Sequence, residues 1–282
     1  MDSRLRGNDG RLVFSFNRKI HKSVRDDSIV EVTETGGIRS LHLGTVTIQS
    51  SMKVKSPIEL QLAYSRGMMA FLLFTDHVIT GHVKNVLSIG LGGGSVPKYI
   101  HVFCPEISQT IIEINPQIIS IARSHFYVPD NDEKFNVIAG DGIAYLSNNR
   151  ASTDVLMIDA FDAHGIPPDF CSQDFFDSCE MALTNAGIFV INLWGSDKNF
   201  DIYLRRIEQS FDAKGKSSVL MLPTGKPGNI VVFGFKHVQD LKIASLRERA
   251  KVLEQVHKIE FINFLEKLCE HNPNNQKQFL QE

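Results

Sequence analysis

Short apolar runs alternate with segments of helical spacing through the middle of the chain. The apolar runs are bounded by turn residues and predict buried strands at 86–90, 109–114, 135–141, 155–161 and 187–194. The segments between them predict helices at 96–103, 116–127, 142–148 and 172–183. Because crossover helices cover both faces of a parallel sheet, this order predicts a Rossmann-like α/β fold with a mostly parallel sheet.

The two ends of the chain carry other patterns. Residues 28–49 alternate apolar and polar side chains around a Gly-Gly pair, which predicts a short antiparallel hairpin or meander. Two later runs, 217–223 and 229–236, predict an antiparallel edge hairpin that brings the sheet to seven strands. Helical spacing predicts a helix over 58–74 and a helical tail after residue 239.

These patterns divide the chain into four parts. We expect a disordered leader, a small N-terminal β domain, a Rossmann-like nucleoside-binding catalytic domain and a C-terminal helical tail. The four parts span residues 1–27, 28–56, 57–238 and 239–282, in that order.

Composition narrows the classes of protein. The 282 residues are 43% apolar and 22% charged, with a net charge of −2, so the basic excess that favours nucleic acid or an anionic membrane is missing. No apolar run approaches the roughly 20 residues that span a bilayer, and the first ten residues do not resemble a secretory signal. Four scattered cysteines without metal-ligand spacing favour reduced thiols in a cytoplasmic protein, with no metal site.

A glycine-rich loop follows the first predicted strand in the stretch VLSIGLGGGS. Glycines allow a tight turn and let a ligand approach the backbone at the carboxyl edge of the sheet. The loop is not followed by G-K-[ST], so a phosphate-binding P-loop is not predicted. Glycines also serve plain turns, and this alternative stays open. The candidate cofactor-binding glycines are Gly90, Gly92, Gly93 and Gly94.

Acidic residues end the next two strands. Glu113 can accept hydrogen bonds from both ribose hydroxyls of a nucleoside bound over the glycine loop, or it can be a solvated strand-end carboxylate. Asp141 lies where a carboxylate can accept a hydrogen bond from the exocyclic amine of adenine. Ile114 and Gly142 follow these two acids directly and belong to the same predicted cofactor site.

The fourth strand ends in a pair of aspartates, Asp159 and Asp162. Two carboxylates at one sheet edge repel each other unless a cation lies between them, and a substrate ammonium is such a cation. The alternative is that Asp159 caps the loop and Asp162 is solvated. Trp194, after the fifth strand, is a candidate for the wall of a substrate pocket or for a half-buried rim position.

The chain resembles the spermidine synthase family, the polyamine aminopropyltransferases built on the class I S-adenosylmethionine-dependent methyltransferase fold. The resemblance rests on VLSIGLGGGS, IIEINP, GDG and IDAFDAHGIPPDFCSQDFF. It implies that Glu113 holds the ribose, that Asp141 contacts the adenine, and that Asp159 and Asp162 are the catalytic pair that binds and deprotonates the attacking amine. Tyr64, Asp162 and Trp194 would contact this substrate.

The resemblance also implies a co-substrate and partners. Decarboxylated S-adenosylmethionine, or S-adenosylmethionine itself, would supply the alkyl group, a small-molecule amine would accept it, and no metal would be needed. The family's N-terminal β domain commonly mediates oligomerisation, which leaves a homodimer or a homotetramer open. The implied activity is that of an alkyl transferase in polyamine biosynthesis.

The chain departs from the family pattern in two places. Gly93 stands where the family has a loop aspartate that holds the aminopropyl ammonium, and the nearby Lys98 would attract the carboxylate of intact S-adenosylmethionine. Arg66 follows Tyr64 and would place positive charge at the diamine wall. Aminopropyl transfer is therefore the first hypothesis, and methyl transfer from intact S-adenosylmethionine is the second. A non-catalytic nucleoside-binding protein and a nicotinamide oxidoreductase remain as further alternatives.

Overall fold

The first described residues of the chain form an antiparallel β-sheet. The computed structural model describes residues 18–25, 28–75, 83–161, 165–212, 218–225, 228–237, 241–273 and 280–281. The N-terminal sheet has four strands in the order β1-β2-β3-β4. Their bounds are Arg18–Arg25 for β1, Ser28–Thr35 for β2, Ile38–Leu43 for β3 and Ser50–Lys53 for β4.

Strand β1 lies inside the segment that the sequence suggested as a leader. Its basic side chains, read along the sequence, look like those of a solvated tail. In the structure Lys19 and Lys22 both pair with Glu31 of β2, at 2.8 and 3.1 Å, and Ile20 packs on the apolar cluster below the sheet. Residues 1–17 lie outside the described residues.

The helix predicted over 58–74 is shorter and changes type. An α-helix, α1, spans Ala63–Met68, and a 3₁₀ helix with every residue buried continues over Met69–Phe74. The segment before α1 is irregular, and two of its carbonyl groups accept hydrogen bonds from a side chain of α1. Arg66 Nη1 donates to the carbonyls of Leu60 and Gln61 at 3.2 and 3.0 Å.

The main sheet has the predicted seven strands in the order β10-β11-β9-β8-β5-β6-β7. The first five of them along the chain, β5 to β9, are parallel, and β10 and β11 form the expected hairpin at one edge. Within that hairpin β11 is antiparallel to β9 and lies inside, so β10 is the edge strand. The bounds are Asn85–Ile89 for β5, Ser108–Glu113 for β6, Phe135–Ala139 for β7, Thr153–Ile158 for β8, Leu183–Trp194 for β9, Val219–Thr224 for β10 and Asn229–Phe235 for β11.

Helices cover both faces of this sheet. Four of them match the predicted helices to within one residue at each end: Ser95–Phe103 (α2), Pro116–Phe126 (α3), Gly142–Ser147 (α4) and Gln173–Ala182 (α5). The sequence reading did not include α6, Phe200–Ser210. The predicted tail is two helices, α7 at Ile243–His257 and α8 at Phe261–His271, which are separated at Lys258, a residue with φ of 56°.

The apolar core lies on the two faces of the main sheet, and a smaller cluster joins the N-terminal sheet to α3. Asn272, just after α8, covers edge strand β10, since its side chain bonds both the N–H and the C=O of Met221 at 2.8 and 2.9 Å. Among the described helices, none combines the length and apolar character needed to cross a bilayer.

Candidate active site

The carboxyl ends of the parallel strands open into a cavity of about 960 Å³. Part of its wall comes from β2, β3 and the segment before β4 in the N-terminal sheet. The structure brings together most of the residues that the sequence suggested. Those that line the cavity are Tyr64, Gly90, Gly92, Glu113, Ile114, Asp141, Gly142 and Asp159.

The four loop glycines have different surroundings. Gly90 and Gly92 line the cavity, and a Cβ on Gly90 would lie 2.4 Å from the backbone oxygen of Asp159. Gly93 and Gly94 are not among the described lining residues. A Cβ on Gly93 would lie 2.6 Å from Ser50 Oγ, and one on Gly94 would lie 2.4 Å from a Val128 methyl group. These two glycines therefore allow close packing behind the loop.

Glu113 is 6% exposed, so it is not a solvated strand-end carboxylate. Its oxygens accept hydrogen bonds from the backbone N–H groups of Leu91 and Asn115, each at 2.9 Å. Burial raises the pKa of Glu113, and the backbone donors act in the opposite direction. The carboxylate is thereby fixed between the glycine loop and the end of β6, on the cavity wall.

The predicted adenine side of the cavity combines an exposed carboxylate with exposed apolar surface. Asp141 caps helix α4, where its Oδ1 accepts from the N–H of Ile143 at 2.8 Å. Ile114 is 72% exposed and lines the same cavity, which offers a planar ring an apolar surface. Gly142 lets α4 pack closely, since a Cβ there would lie 2.4 Å from an Ile89 methyl group.

Asp159 lies just after β8, where its N–H donates to the carbonyl of Ile89 at 3.0 Å. Asn192 Nδ2 donates to its Oδ1 at 3.1 Å, and the Tyr64 hydroxyl lies beside this carboxylate. That hydroxyl donates to the Gln49 carbonyl oxygen at 3.1 Å. Burial raises the pKa of Asp159 to about 6, while the Asn192 and Tyr64 side chains lower it. Asp159 is thus a fixed carboxyl group on the cavity wall, and its pKa lies closer to neutral pH than that of an ordinary aspartate.

Sequence reasoning did not single out Asn192. The available signal was a lone amide in the apolar run GIFVINLW, since a buried polar side chain in a strand needs a specific partner. Asp169 was also missed. It lines the cavity from the 3₁₀ helix Pro168–Cys171 and is exposed at the surface.

Two other candidates are placed differently or not described. Asp162 falls in residues 162–164, which lie outside the described residues, so its role stays a prediction. Trp194 is half-buried and stacks on Phe161, with ring centroids 5.6 Å apart. Phe161 lines the cavity, whereas Trp194 is not among the described lining residues. Trp194 therefore supports the wall from behind.

The two basic residues that argued against a diamine do not line the cavity in the part of the chain that the structure describes. Arg66 Nε donates to both carboxylate oxygens of Glu260, at 2.9 and 3.0 Å. Lys98 is 1% exposed, and its ammonium donates to the backbone carbonyls of Phe126 and Pro57. Burial lowers the pKa of Lys98 to about 8. The expectation that these cations act on the ligand is therefore wrong.

The charge of the cavity favours a cationic ligand. Every charged side chain among its described lining residues is acidic: Glu113, Asp141, Asp159 and Asp169. Within the described ranges, no group of histidine, cysteine and acidic side chains could hold a metal ion. The expectation of metal-free chemistry stays a prediction.

A glycine loop after the first strand of such a sheet, with acids at the neighbouring strand ends, is the arrangement of a Rossmann-like α/β fold. The family profile for the spermine/spermidine synthase domain matches residues 61–245. The polyamine aminopropyltransferase of Neisseria meningitidis serogroup A is 41% identical over 251 residues, which are 89% of this chain and 92% of that protein. This chain belongs to the spermine/spermidine synthase family, as its motifs suggested.

Two solved structures support the fold. A spermidine synthase in complex with the transition-state analogue AdoDATO has a TM-score of 0.69 and 17% identity, and the match covers 93% of this chain and 92% of that one. Human methyltransferase-like protein 13 in complex with SAH has a TM-score of 0.62 and 25% identity, covering 70% of this chain and 93% of that one. The fold of this chain is therefore similar to that of both solved structures.

Proposed function

We propose that this chain is a polyamine aminopropyltransferase, which moves an aminopropyl group from decarboxylated S-adenosylmethionine to an amine of a diamine or polyamine. The observation that carries the proposal is the acidic cavity, in which the Asp159 carboxylate shares one space with Glu113 and the glycine loop. Both reactants are cations, and a cavity whose described charges are all negative attracts both. The polyamine aminopropyltransferase named above supports this assignment.

The geometry suggests how the nucleoside is held. Glu113 accepts hydrogen bonds from the ribose hydroxyls, while Ile114 covers one face of the adenine and Asp141 accepts from its amine. This arrangement directs the sulfonium and its aminopropyl chain toward Asp159 and Tyr64. Two reactants held in line raise the rate because their encounter entropy has already been lost on binding.

Asp159 supplies the chemical step. An alkyl ammonium has no lone pair, so the Asp159 carboxylate first takes a proton from the bound acceptor. The freed nitrogen lone pair then attacks the methylene carbon next to the sulfonium and forms a C–N bond. The C–S bond breaks, and its electron pair leaves with sulfur as a neutral thioether. Asn192 holds the carboxylate during this exchange, with the Tyr64 hydroxyl beside it.

Methyl transfer from intact S-adenosylmethionine is the second candidate. Gly93 favours it, since the loop carries no side-chain anchor for an aminopropyl ammonium, and the similarity to human methyltransferase-like protein 13 is consistent with it. The lining favours aminopropyl transfer instead. Among the described lining residues there is no basic side chain that would pair with the carboxylate of intact S-adenosylmethionine.

Paired binding and product measurements test the assignment. We expect calorimetric titration to show tighter binding of decarboxylated than of intact S-adenosylmethionine, by at least about tenfold, or about 1.4 kcal/mol. We also expect mass spectrometry to show an aminopropylated product when a diamine is added. Tight binding of intact S-adenosylmethionine with a methylated amine as product would favour the second candidate. Binding without any product would favour a non-catalytic protein.

The pH dependence of the reaction follows from Asp159. Its pKa of about 6 means that the carboxylate, the form that accepts a proton, predominates above pH 6 and is lost below it. We expect kcat/KM to fall about tenfold per pH unit below pH 6 and to level off above it. Initial rates between about pH 4.5 and pH 8 measure this limb. A limb at the ordinary aspartate value, near pH 4, would contradict the role of burial at Asp159.

The family also leads us to propose a cytoplasmic enzyme that forms a homodimer or a homotetramer. Neither property follows from the cavity itself. Light scattering on the purified protein measures the oligomeric state, and cell fractionation measures the location.

A further inference from the structure

A series of hydrogen bonds runs through two asparagines and ends on Asp159. Asn229 Nδ2 donates to Asn192 Oδ1 at 3.0 Å, and Asn192 Nδ2 donates to Asp159 Oδ1 at 3.1 Å. Asn192 is 2% exposed, on β9, and Asn229 lies at the start of the neighbouring strand β11. The line of bonds therefore crosses two adjacent strands of the rigid sheet and ends on the predicted proton acceptor.

The direction of these bonds is fixed by the ionised state of Asp159. A carboxylate only accepts hydrogen bonds, so Asn192 must turn its amide N–H₂ toward Asp159 and its oxygen toward Asn229. Asn229 must then donate in turn. A protonated Asp159 has a hydroxyl to donate and no longer requires this orientation. The observed orientation of the two asparagines is thus the one that the carboxylate requires.

We propose that Asn192, oriented by Asn229, is a positioning residue that stabilises Asp159 as a carboxylate and occupies its Oδ1, so that Oδ2 is left for the acceptor amine. Only the reference to the amine rests on the proposed function. The statement about Asp159 applies to the ligand-free protein as well. The role is distinct from catalysis, since Asn192 acts through Asp159.

The polar and titratable groups around Asp159 determine which other residues can affect its titration. Helix α1 contributes the Tyr64 hydroxyl, β5 contributes the Ile89 carbonyl, and β9 contributes the Asn192 amide. Tyr64 is the titratable side chain that the described residues place in contact with Asp159, and burial raises its pKa well above the usual value. Glu113, Asp141 and Asp169 line the same cavity, and Asp162 lies outside the described residues.

Direct titration of Asp159 tests the proposal without any assay of activity. The ligand-free protein, labelled with ¹³C at the aspartate carboxyl carbons, is titrated by NMR, and Asp159→Asn identifies the signal. We expect Asn192→Leu, which keeps the volume but removes the donor, to raise the pKa of Asp159 by about 1 unit or more. Asn229→Asp changes a group that does not touch Asp159. We expect it to reverse the Asn192 amide and to raise the same pKa.

Asn272→Leu is the matched control. It removes another buried amide, 6% exposed, which bonds the backbone of Met221 rather than Asp159. We expect it to leave the pKa of Asp159 unchanged even if it lowers stability. In enzyme assays, the acid limb of kcat/KM should move with the NMR value in the Asn192 and Asn229 variants.

The outcomes separate this proposal from the proposed function. A folded Asn192→Leu variant whose Asp159 titrates as in the parent protein would overturn the positioning role, and so would an equal shift in Asn272→Leu. Should Asn192→Leu not fold, an unchanged Asp159 pKa in Asn229→Asp would overturn it. A shifted pKa in a protein that transfers no aminopropyl group would support the positioning role and reject the proposed function.

Discussion

Replacing Asp159 with asparagine is expected to lower kcat/KM by about 10²- to 10⁴-fold, the usual range for removing a proton acceptor. Asparagine has nearly the same shape and can still accept the bond from Asn192, so nucleoside affinity should change by less than about threefold, below 1 kcal/mol. Steady-state rates with decarboxylated S-adenosylmethionine and a diamine give the first quantity, and calorimetric titration gives the second. An Asp159→Asn variant with full activity would exclude Asp159 as the base.

The same variant should be more stable than its parent at neutral pH. The pKa of Asp159 is about 6 in the folded protein and 3.8 ordinarily. The ionised form of Asp159 is therefore less favourable in the folded protein than in the unfolded chain. The resulting loss of stability is fully present above pH 6 and disappears as the pH falls toward 4. Asp159→Asn removes it, and we expect a gain of about 1–2 kcal/mol at pH 7.5 and little at pH 4, measured by urea denaturation. A variant that is both less active and more stable cannot owe its lost activity to unfolding.

The parts of the site that the sequence predicted are the ones set by strand topology. A parallel sheet brings all its carboxyl strand ends to one edge, so Glu113, Asp141 and Asp159 were placed together by the order of strands and helices alone. The bounds of α2 to α5 were likewise close, because capping residues and apolar periodicity are local signals. Asn115, Asp141 and Ser172 each accept a hydrogen bond from the backbone at the start of a helix.

The sequence did not predict the direction in which a side chain points once its partner lies far along the chain. Arg66 lies two positions after Tyr64, yet its guanidinium bonds Glu260, 194 positions later. Lys98 begins beside the glycine loop but reaches the carbonyl that ends α3. The role of Asn192 can be recognised only when both of its partners, Asp159 and Asn229, are known. Each case depends on contacts between elements that are distant in sequence, which periodicity does not encode.

The structure gives a second reason for the glycine at position 93, where the family has an aspartate. A side chain at position 93 would meet Ser50 and Phe126 rather than enter the cavity freely, since a Cβ there lies within 2.6–2.9 Å of their side-chain atoms. Gly93 therefore also allows close packing against Ser50 of the N-terminal sheet and Phe126 of α3. The aminopropyl ammonium is left to the acids that line the cavity.

The glycine that most constrains the site is Gly90. Its φ is 94°, and an added Cβ would lie 2.4 Å from the backbone oxygen and 2.9 Å from the carbonyl carbon of Asp159. Backbone atoms cannot rotate away as a flexible side chain can, so Gly90→Ala must displace the segment that carries Asp159. We expect a loss of about 2–4 kcal/mol in stability. A displacement of about 1 Å at the base also lowers kcat/KM by about 10²-fold.

Gly36→Ala separates this collision from the conformational penalty alone. Gly36 has φ of 59° in the β2–β3 turn, and a Cβ there would meet nothing within 4 Å. We expect it to lower stability by about 1 kcal/mol and to leave kcat/KM unchanged. Urea denaturation and steady-state rates on both variants make the comparison. If Gly90→Ala lowers stability and kcat/KM no more than Gly36→Ala does, the end of β8 can move without loss of activity. The close approach of Gly90 to Asp159 would then not position the base.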